Sequence, residues 1–188
     1  MRTRKNKSLM LLVTSLAAAG VKPAVASPPA TFEAQPLSKE AADRFVGSYR
    51  FAGGDRERAA RDAAIDGVVE EMNFLVRGVA RKRLKESNRI AERVSISRKE
   101  SQLTIRFDDR AYTAPINGGA VAVVGITGAE LKLRHRVSNG RIEQIFEGED
   151  GGRTNQLELD GEGRLTIRVR VFSDKLPKDL RYKLTYAR

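Results

Sequence analysis

Hydrophobic and polar positions follow two rhythms along this chain, and the change between them comes near residue 90. From Asp55 to Leu84 the stretch DRERAARDAAIDGVVEEMNFLVRGVARKRL has no proline, and Ile65, Val68, Val69, Met72, Leu75, Val76 and Val79 recur at i, i+3, i+4 and i+7. At about 100° per residue these side chains fall in an apolar stripe roughly 120° wide, which predicts an amphipathic helix laid on a core. Unbroken, it would be about 45 Å long, whereas a seven-residue strand spans about 23 Å. Such a helix must overhang a sheet, cross it obliquely or bend, and Gly67 and Gly78 are the places to bend. Asp55 is placed to cap its N-terminus.

From Arg93 onward the period is two. Val94 and Ile96 share a face, as do Leu103, Ile105 and Phe107, then Tyr112, Ala114 and Ile116, then Leu131, Leu133, His135 and Val137. Ile142, Gln144 and Phe146 follow, then Asn155, Leu157 and Leu159, then Leu165, Ile167, Val169 and Val171, and finally Tyr182, Leu184 and Tyr186. Turn signals such as Asp108-Asp109, Asn117-Gly118-Gly119, Asn139-Gly140 and Gly151-Gly152 punctuate these runs at intervals of about ten residues, the mark of a sandwich or barrel of hairpins. Before the helix, Ser38 can cap a short helix over 39–44, and Phe45 to Phe51 reads as a first strand. One face of each strand is apolar, so one face of the sheet is buried. A single helix cannot cover roughly nine to ten twisted strands, and closing the sheet removes its exposed edges. The chain is therefore expected to be mainly β, an antiparallel up-and-down barrel with one long helix, 55–84, inserted between strands one and two.

That order of strand, helical insertion and long meander, with Gly47-Ser48-Tyr49 at the first strand, resembles the calycin barrels and most closely the fatty-acid-binding-protein plan. The resemblance covers residues 45–188. It implies a ten-stranded barrel, a helical lid and an apolar ligand held inside. Lipocalins have a tryptophan where this chain has Tyr49, and fatty-acid-binding proteins hold a carboxylate with Arg-x-Tyr in the last strand. Here that strand ends Tyr186-Ala187-Arg188, the reverse order, so carboxylate recognition does not carry over. The helix-grip plan, the competing arrangement, needs a long C-terminal helix where this chain has a strand.

Residues 1–26 stand outside the barrel. Arg2, Arg4, Lys5 and Lys7 precede the apolar run Leu9–Val21, and Ala24-Val25-Ala26 precedes Ser27, the three parts of a secretory signal peptide. The run has thirteen residues, short of the roughly 20 that span a bilayer. Residues 27–36, with three prolines, read as a linker, and 37–188 as a single domain. Removing the five bases of residues 1–26 lowers the formal charge from +11 to +6, with 30 bases against 24 acids. The larger value suggests nucleic acid; the smaller suggests an anionic envelope surface or simple solubility, and no nucleic acid partner is expected. With no cysteine, neither disulfides nor a lipoprotein anchor are available, and a periplasmic or secreted protein with no transmembrane segment after processing is expected.

Little in the chain points to catalysis. One histidine and no cysteine leave no metal cluster, and neither a nucleophile elbow nor a phosphate-cradling glycine loop is present. No cofactor and no enzyme activity are expected. The informative residues are polar ones in apolar phase: His135, Gln144, Asn155, Tyr182, Tyr186 and Arg188. Buried polar groups must be hydrogen-bonded, so this set implies an internal network or the contacts of a polar ligand head. Arg134, Arg136, Arg168 and Arg170 alternate outward and would form a basic wall for anionic headgroups if their strands are neighbours. The sequence favours an exported binding protein for a lipid or other apolar small molecule. The alternative is a cell-envelope structural or interaction module with a filled core and no ligand, and cavity volume separates the two. Expressed with its own leader in a Gram-negative host, the protein should be recovered from the periplasm beginning at Ser27; full-length chain in the membrane fraction would contradict the leader reading.

Overall fold

A computed structural model describes residues 39–138 and 140–188, with the backbone alone for Val137 and Ser138. The leader, the linker, the Ser38 cap and Asn139 lie outside the described residues. The elements run α1 (Lys39–Asp43), β1 (Gly47–Phe51), α2 (Gly54–Val69), α3 (Arg77–Ser87), β2 (Arg93–Lys99), β3 (Gln102–Phe107), β4 (Arg110–Pro115), β5 (Val121–Val124), β6 (Glu130–Ser138), β7 (Arg141–Gly148), β8 (Gly151–Leu159), β9 (Leu165–Ser173) and β10 (Leu180–Ala187).

The ten strands form one antiparallel sheet in the order β4-β3-β2-β1-β10-β9-β8-β7-β6-β5, a nearly closed up-and-down barrel of calycin type. The first strand meets the last through the pairs Arg50↔Ala187 and Phe51↔Tyr186. Helix α2 reinforces this join: the Glu57 carboxylate accepts from Thr185 N at 2.6 Å and from its hydroxyl at 2.7 Å. The one interruption is between β4 and β5, which share no ladder. Side chains span it instead. Tyr112 and Ala114 of β4 pack with Leu133 of β6 and Phe146 of β7, with Tyr112 meeting Phe146 edge-on at 4.9 Å.

Alternation places the core as expected. Val94, Ile96, Leu103, Ile105, Leu157, Leu165, Ile167, Leu184 and Tyr186 are buried in one cluster, with Ile65, Val68 and Val69 of α2 docked on it.

The expectation of one long helix over 55–84 is corrected. Two helices, α2 and α3, are separated at residues 70–76, and neither Gly67 nor Gly78 makes the break. Asn73 makes it. Its side-chain oxygen accepts from Leu75 N at 3.0 Å while its carbonyl accepts from Val76 N at 3.1 Å, a local turn that competes with helix continuation. Arg77 then reaches back. Its guanidinium donates to the carbonyls of Met72 (3.0 Å) and Glu70 (2.6 Å), groups a continuous helix would have bonded through its own backbone. Helix α2 also starts one residue earlier than expected, at Gly54, with no side-chain cap; Asp55 and Glu57 fall in its first turn.

The break divides the predicted apolar stripe. Ile65, Val68 and Val69 are fully buried, whereas Leu75 is 75 % exposed and Val79 58 %. Ile65→Ala should therefore cost roughly 2–5 kcal/mol, and Leu75→Ala less than about 0.5 kcal/mol. Urea unfolding of both variants checks this; a comparable loss at Leu75 would place the turn against a core.

Candidate functional site

A cavity of about 590 Å3 opens among the last turn of α3, the β3–β4, β5–β6 and β7–β8 turns and the end of β9, within the range of small-molecule sites. Its wall is largely apolar, with Ala91, Phe107, Tyr112, Leu131, Phe146, Ile167, Val169, Val171 and Leu184, and Arg89, Arg110, Glu130, Glu149 and Asp150 also line it. Two glycines let the β7–β8 turn pack close against its neighbouring strands. A Cβ at Gly151 would lie 2.2 Å from the Phe172 carbonyl oxygen, and one at Gly152 would lie 2.2 Å from that of Phe146. These glycines therefore do more than turn the chain, because side chains there would collide with the neighbouring strands.

The polar end of the cavity centres on Arg153, which shares its inward phase on β8 with Asn155 and Leu157. Its Nε donates to Asn155 Oδ1 at 2.8 Å. Nη1 reaches Asn88 Oδ1 at 3.3 Å and the Ser87 carbonyl at 3.5 Å, and Nη2 reaches the Tyr182 hydroxyl at 3.4 Å. Every partner is neutral, and Arg153 makes no ion pair among the described residues. An arginine held on an apolar wall by neutral acceptors alone keeps its N–H groups available to donate to an anion.

Five of the six polar residues expected in the interior are placed there. His135, Gln144 and Asn155 form one row, since His135 faces Gln144 across β6–β7 and Gln144 faces Asn155 across β7–β8. Asn155 donates to Gln144 Oε1 at 2.9 Å. Asn155 and Tyr186 line the cavity. Tyr182 lies behind it, donating to Asn88 Oδ1 at 3.1 Å. Tyr186 packs edge-on against Phe51, and burial, reinforced by Tyr182 nearby, pushes its phenol well above the usual range. The sixth, Arg188, stands apart. It lies over the Tyr49 ring and donates to the Tyr49 hydroxyl at 3.2 Å and the Val46 carbonyl at 3.4 Å.

Sequence reasoning missed Arg153 and Asn88. Arg153 is two residues before Asn155, so strand phase alone could have found it. Asn88, 1 % exposed, lies just past a helix end and had no periodic signal.

The outward arginines are largely paired. Arg134 meets Glu147 at 2.9 Å, Arg168 meets Glu158 at 3.3 Å and Arg170 meets Asp179 at 2.8 Å, while Arg136 faces Glu143 in the ladder. Strand β6 is separated from β9 by β7 and β8, which carry those glutamates. Among the described residues, no three His, Cys, Asp or Glu side chains are grouped to hold a metal, and no helix is long and apolar enough to cross a membrane.

His135 is fully buried beside the β4–β5 gap, and neither ring nitrogen makes a hydrogen bond of normal geometry among the described residues. Burial lowers its pKa from 6.5 to about 4, partly offset by the Ala114 carbonyl. Between those values the unfolded chain binds more protons than the folded one. The stability that the neutral ring preserves is complete above pH 6.5 and declines as pH falls toward 4, by up to roughly 3 kcal/mol. His135→Leu should remove this component. Urea unfolding of both proteins at about pH 7.5 and about pH 4.5 checks it, and parallel losses would exclude titration of His135 in this window.

No protein-family model and no curated protein matches the chain. Solved structures do match. Lipid-binding protein 8 of Caenorhabditis elegans, solved in its apo form, aligns with TM-score 0.53 and 9% identity over 81% of this chain and 98% of its own. Fatty-acid-binding protein 1 of Echinococcus granulosus aligns with TM-score 0.47 and 15% identity over 78% of this chain and 98% of its own. The likeness to the first establishes the fold: a ten-stranded calycin-type barrel with a helical pair inserted after its first strand.

Proposed function

We propose that the protein is an exported binding protein for an amphiphile, a small molecule with an apolar body and an anionic head. The observation that carries this is the cavity itself, apolar over most of its wall and polar at one end, where Arg153 is held by neutral groups alone. An apolar tail would displace water from the Phe107, Leu131 and Val169 surfaces, at roughly 25 cal/mol for each Å2 buried. The head would supply Arg153 with the anionic acceptor that the protein does not provide, and charge-assisted hydrogen bonds are about twice as strong as neutral ones. The likeness in fold to lipid-binding protein 8 is consistent with a lipid as ligand, and the residues proposed for the head differ from the Arg-x-Tyr in the last strand of the fatty-acid-binding plan.

The alternative, an interaction module of the envelope with a filled core, has the open cavity against it. In its favour is the exposed turn between α2 and α3, where Phe74 is 73 % and Leu75 75 % exposed. Export rests on the leader, and the paired outer wall gives little support for an anionic surface as partner.

Dodecanoate should bind saturably at one per protein with a micromolar Kd, measured by calorimetry. Val171→Trp, which adds bulk on the cavity wall, should abolish binding while unfolding stays cooperative. Arg153→Met should weaken dodecanoate about 10- to 100-fold, as loss of a hydrogen bond to a charged group does, and leave the uncharged 1-dodecanol within a factor of about two. Absence of saturable binding of either amphiphile would overturn the proposal.

A further inference from the structure

Asn88 joins two parts of the molecule. Its Nδ2 donates to the Leu84 carbonyl at 2.9 Å and to the Ser87 hydroxyl at 3.1 Å, so the side chain closes the last turn of α3. Its Oδ1 points the other way, into the barrel, and accepts from the Tyr182 hydroxyl at 3.1 Å and Arg153 Nη1 at 3.3 Å. Arg153 Nη1 also reaches the Ser87 carbonyl at 3.5 Å. The end of the helix is thus fastened to the barrel interior through Arg153, the cation proposed to hold an anionic head. Asn88 Oδ1 has the position and the two donors that a carboxylate oxygen of a ligand would have.

We infer that Asn88 is an internal stand-in for the ligand head, and that an anionic ligand displaces it and so releases the C-terminal end of α3. The inference rests on the cavity being an amphiphile site and adds to it a specificity determinant and a coupling. The coupling follows from competition. Arg153 and Tyr182 have a limited set of donors, and a carboxylate is a stronger acceptor for them than a neutral amide oxygen. Once the head occupies those donors, Asn88 loses its two interior contacts, and the Ser87 carbonyl loses Arg153. The ties of this turn to α2 that remain are Arg61 Nη1 on the Asn88 carbonyl at 3.1 Å and the half-exposed Lys85–Asp62 pair at 3.7 Å. An uncharged ligand of equal length fills the apolar space without competing for Arg153, and it leaves the turn fastened. Helix release is therefore a readout of head charge and not of cavity filling, which is the differential contact that a ligand-driven change requires.

Two variants separate this from a merely structural role. In Asn88→Ala the competitor is gone, so dodecanoate should bind about tenfold more tightly, the value of one or two displaced hydrogen bonds, with 1-dodecanol unchanged within about twofold. In the near-isosteric Asn88→Asp the protein supplies its own anion to Arg153, so dodecanoate should weaken by about tenfold or more while 1-dodecanol again holds. Calorimetry reads both. Amide hydrogen exchange over residues 84–91 reads the coupling: in the wild-type protein, dodecanoate should accelerate exchange there and 1-dodecanol should not. If α3 unravels in the alanine variant, the aspartate variant still gives the opposite sign of effect. Tight dodecanoate binding to the wild-type protein with unaltered exchange at 84–91, or with Asn88→Asp binding it equally well, would overturn this inference and leave the amphiphile reading standing. Failure of the wild-type protein to bind either amphiphile would overturn both.

Discussion

The structure depends on one short join. Ten strands can share a single dry interior only if the first is brought to the last, and here β1 and β10 do so through two ladder pairs, Arg50↔Ala187 and Phe51↔Tyr186. So short a ladder needs help. Glu57 provides it from the first turn of α2 by accepting from both the backbone and the hydroxyl of Thr185. Helix α2 therefore does two jobs: it buries Ile65, Val68 and Val69 against the core, and its first turn holds the seam where the chain closes on itself. The insertion of helices directly after the first strand is what makes both possible.

Closure creates the interior, and the polar groups it encloses must find partners among themselves. Polar groups on an apolar wall cost stability unless they find partners. The Asn155, Arg153, Tyr182 and Asn88 set meets that requirement among its own members, across β8, β10 and the end of α3. His135 and Gln144 do not meet it fully: among the described residues, Gln144 Nε2 and both histidine nitrogens have no hydrogen-bond partner of normal geometry. One half of the polar row is thus a satisfied network built round a cation, and the other half lies deep beside the gap between β4 and β5.

The barrel was legible in the sequence because period-two alternation survives in almost every strand, and a wall with one dry face writes itself directly into residue order. The row of His135, Gln144 and Asn155 was legible for the same reason. The helix break was not. Its determinants are Asn73, which competes locally for backbone donors, and Arg77, which satisfies carbonyls five and seven residues back; neither disturbs the apolar periodicity that predicted a continuous helix. Arg153 escaped because a charged residue at the mouth of a strand looks like part of the turn, although its phase with Asn155 marks it as inward. Asn88 could not be read at all. Its role comes from the meeting of a helix end with two distant strands, and no local pattern encodes such a meeting.

The gap between β4 and β5 gives the wall an elastic property. Everywhere else, widening the barrel means stretching or breaking backbone hydrogen bonds. At this one boundary there are none to stretch, and the spacing is set by Tyr112, Ala114, Leu133 and Phe146 packed across it. Two of these, Tyr112 and Phe146, also line the cavity. The girth of the interior is therefore governed by the volume of a few side chains instead of by strand register. Related chains could resize the compartment through ordinary substitutions at these positions and keep every ladder intact.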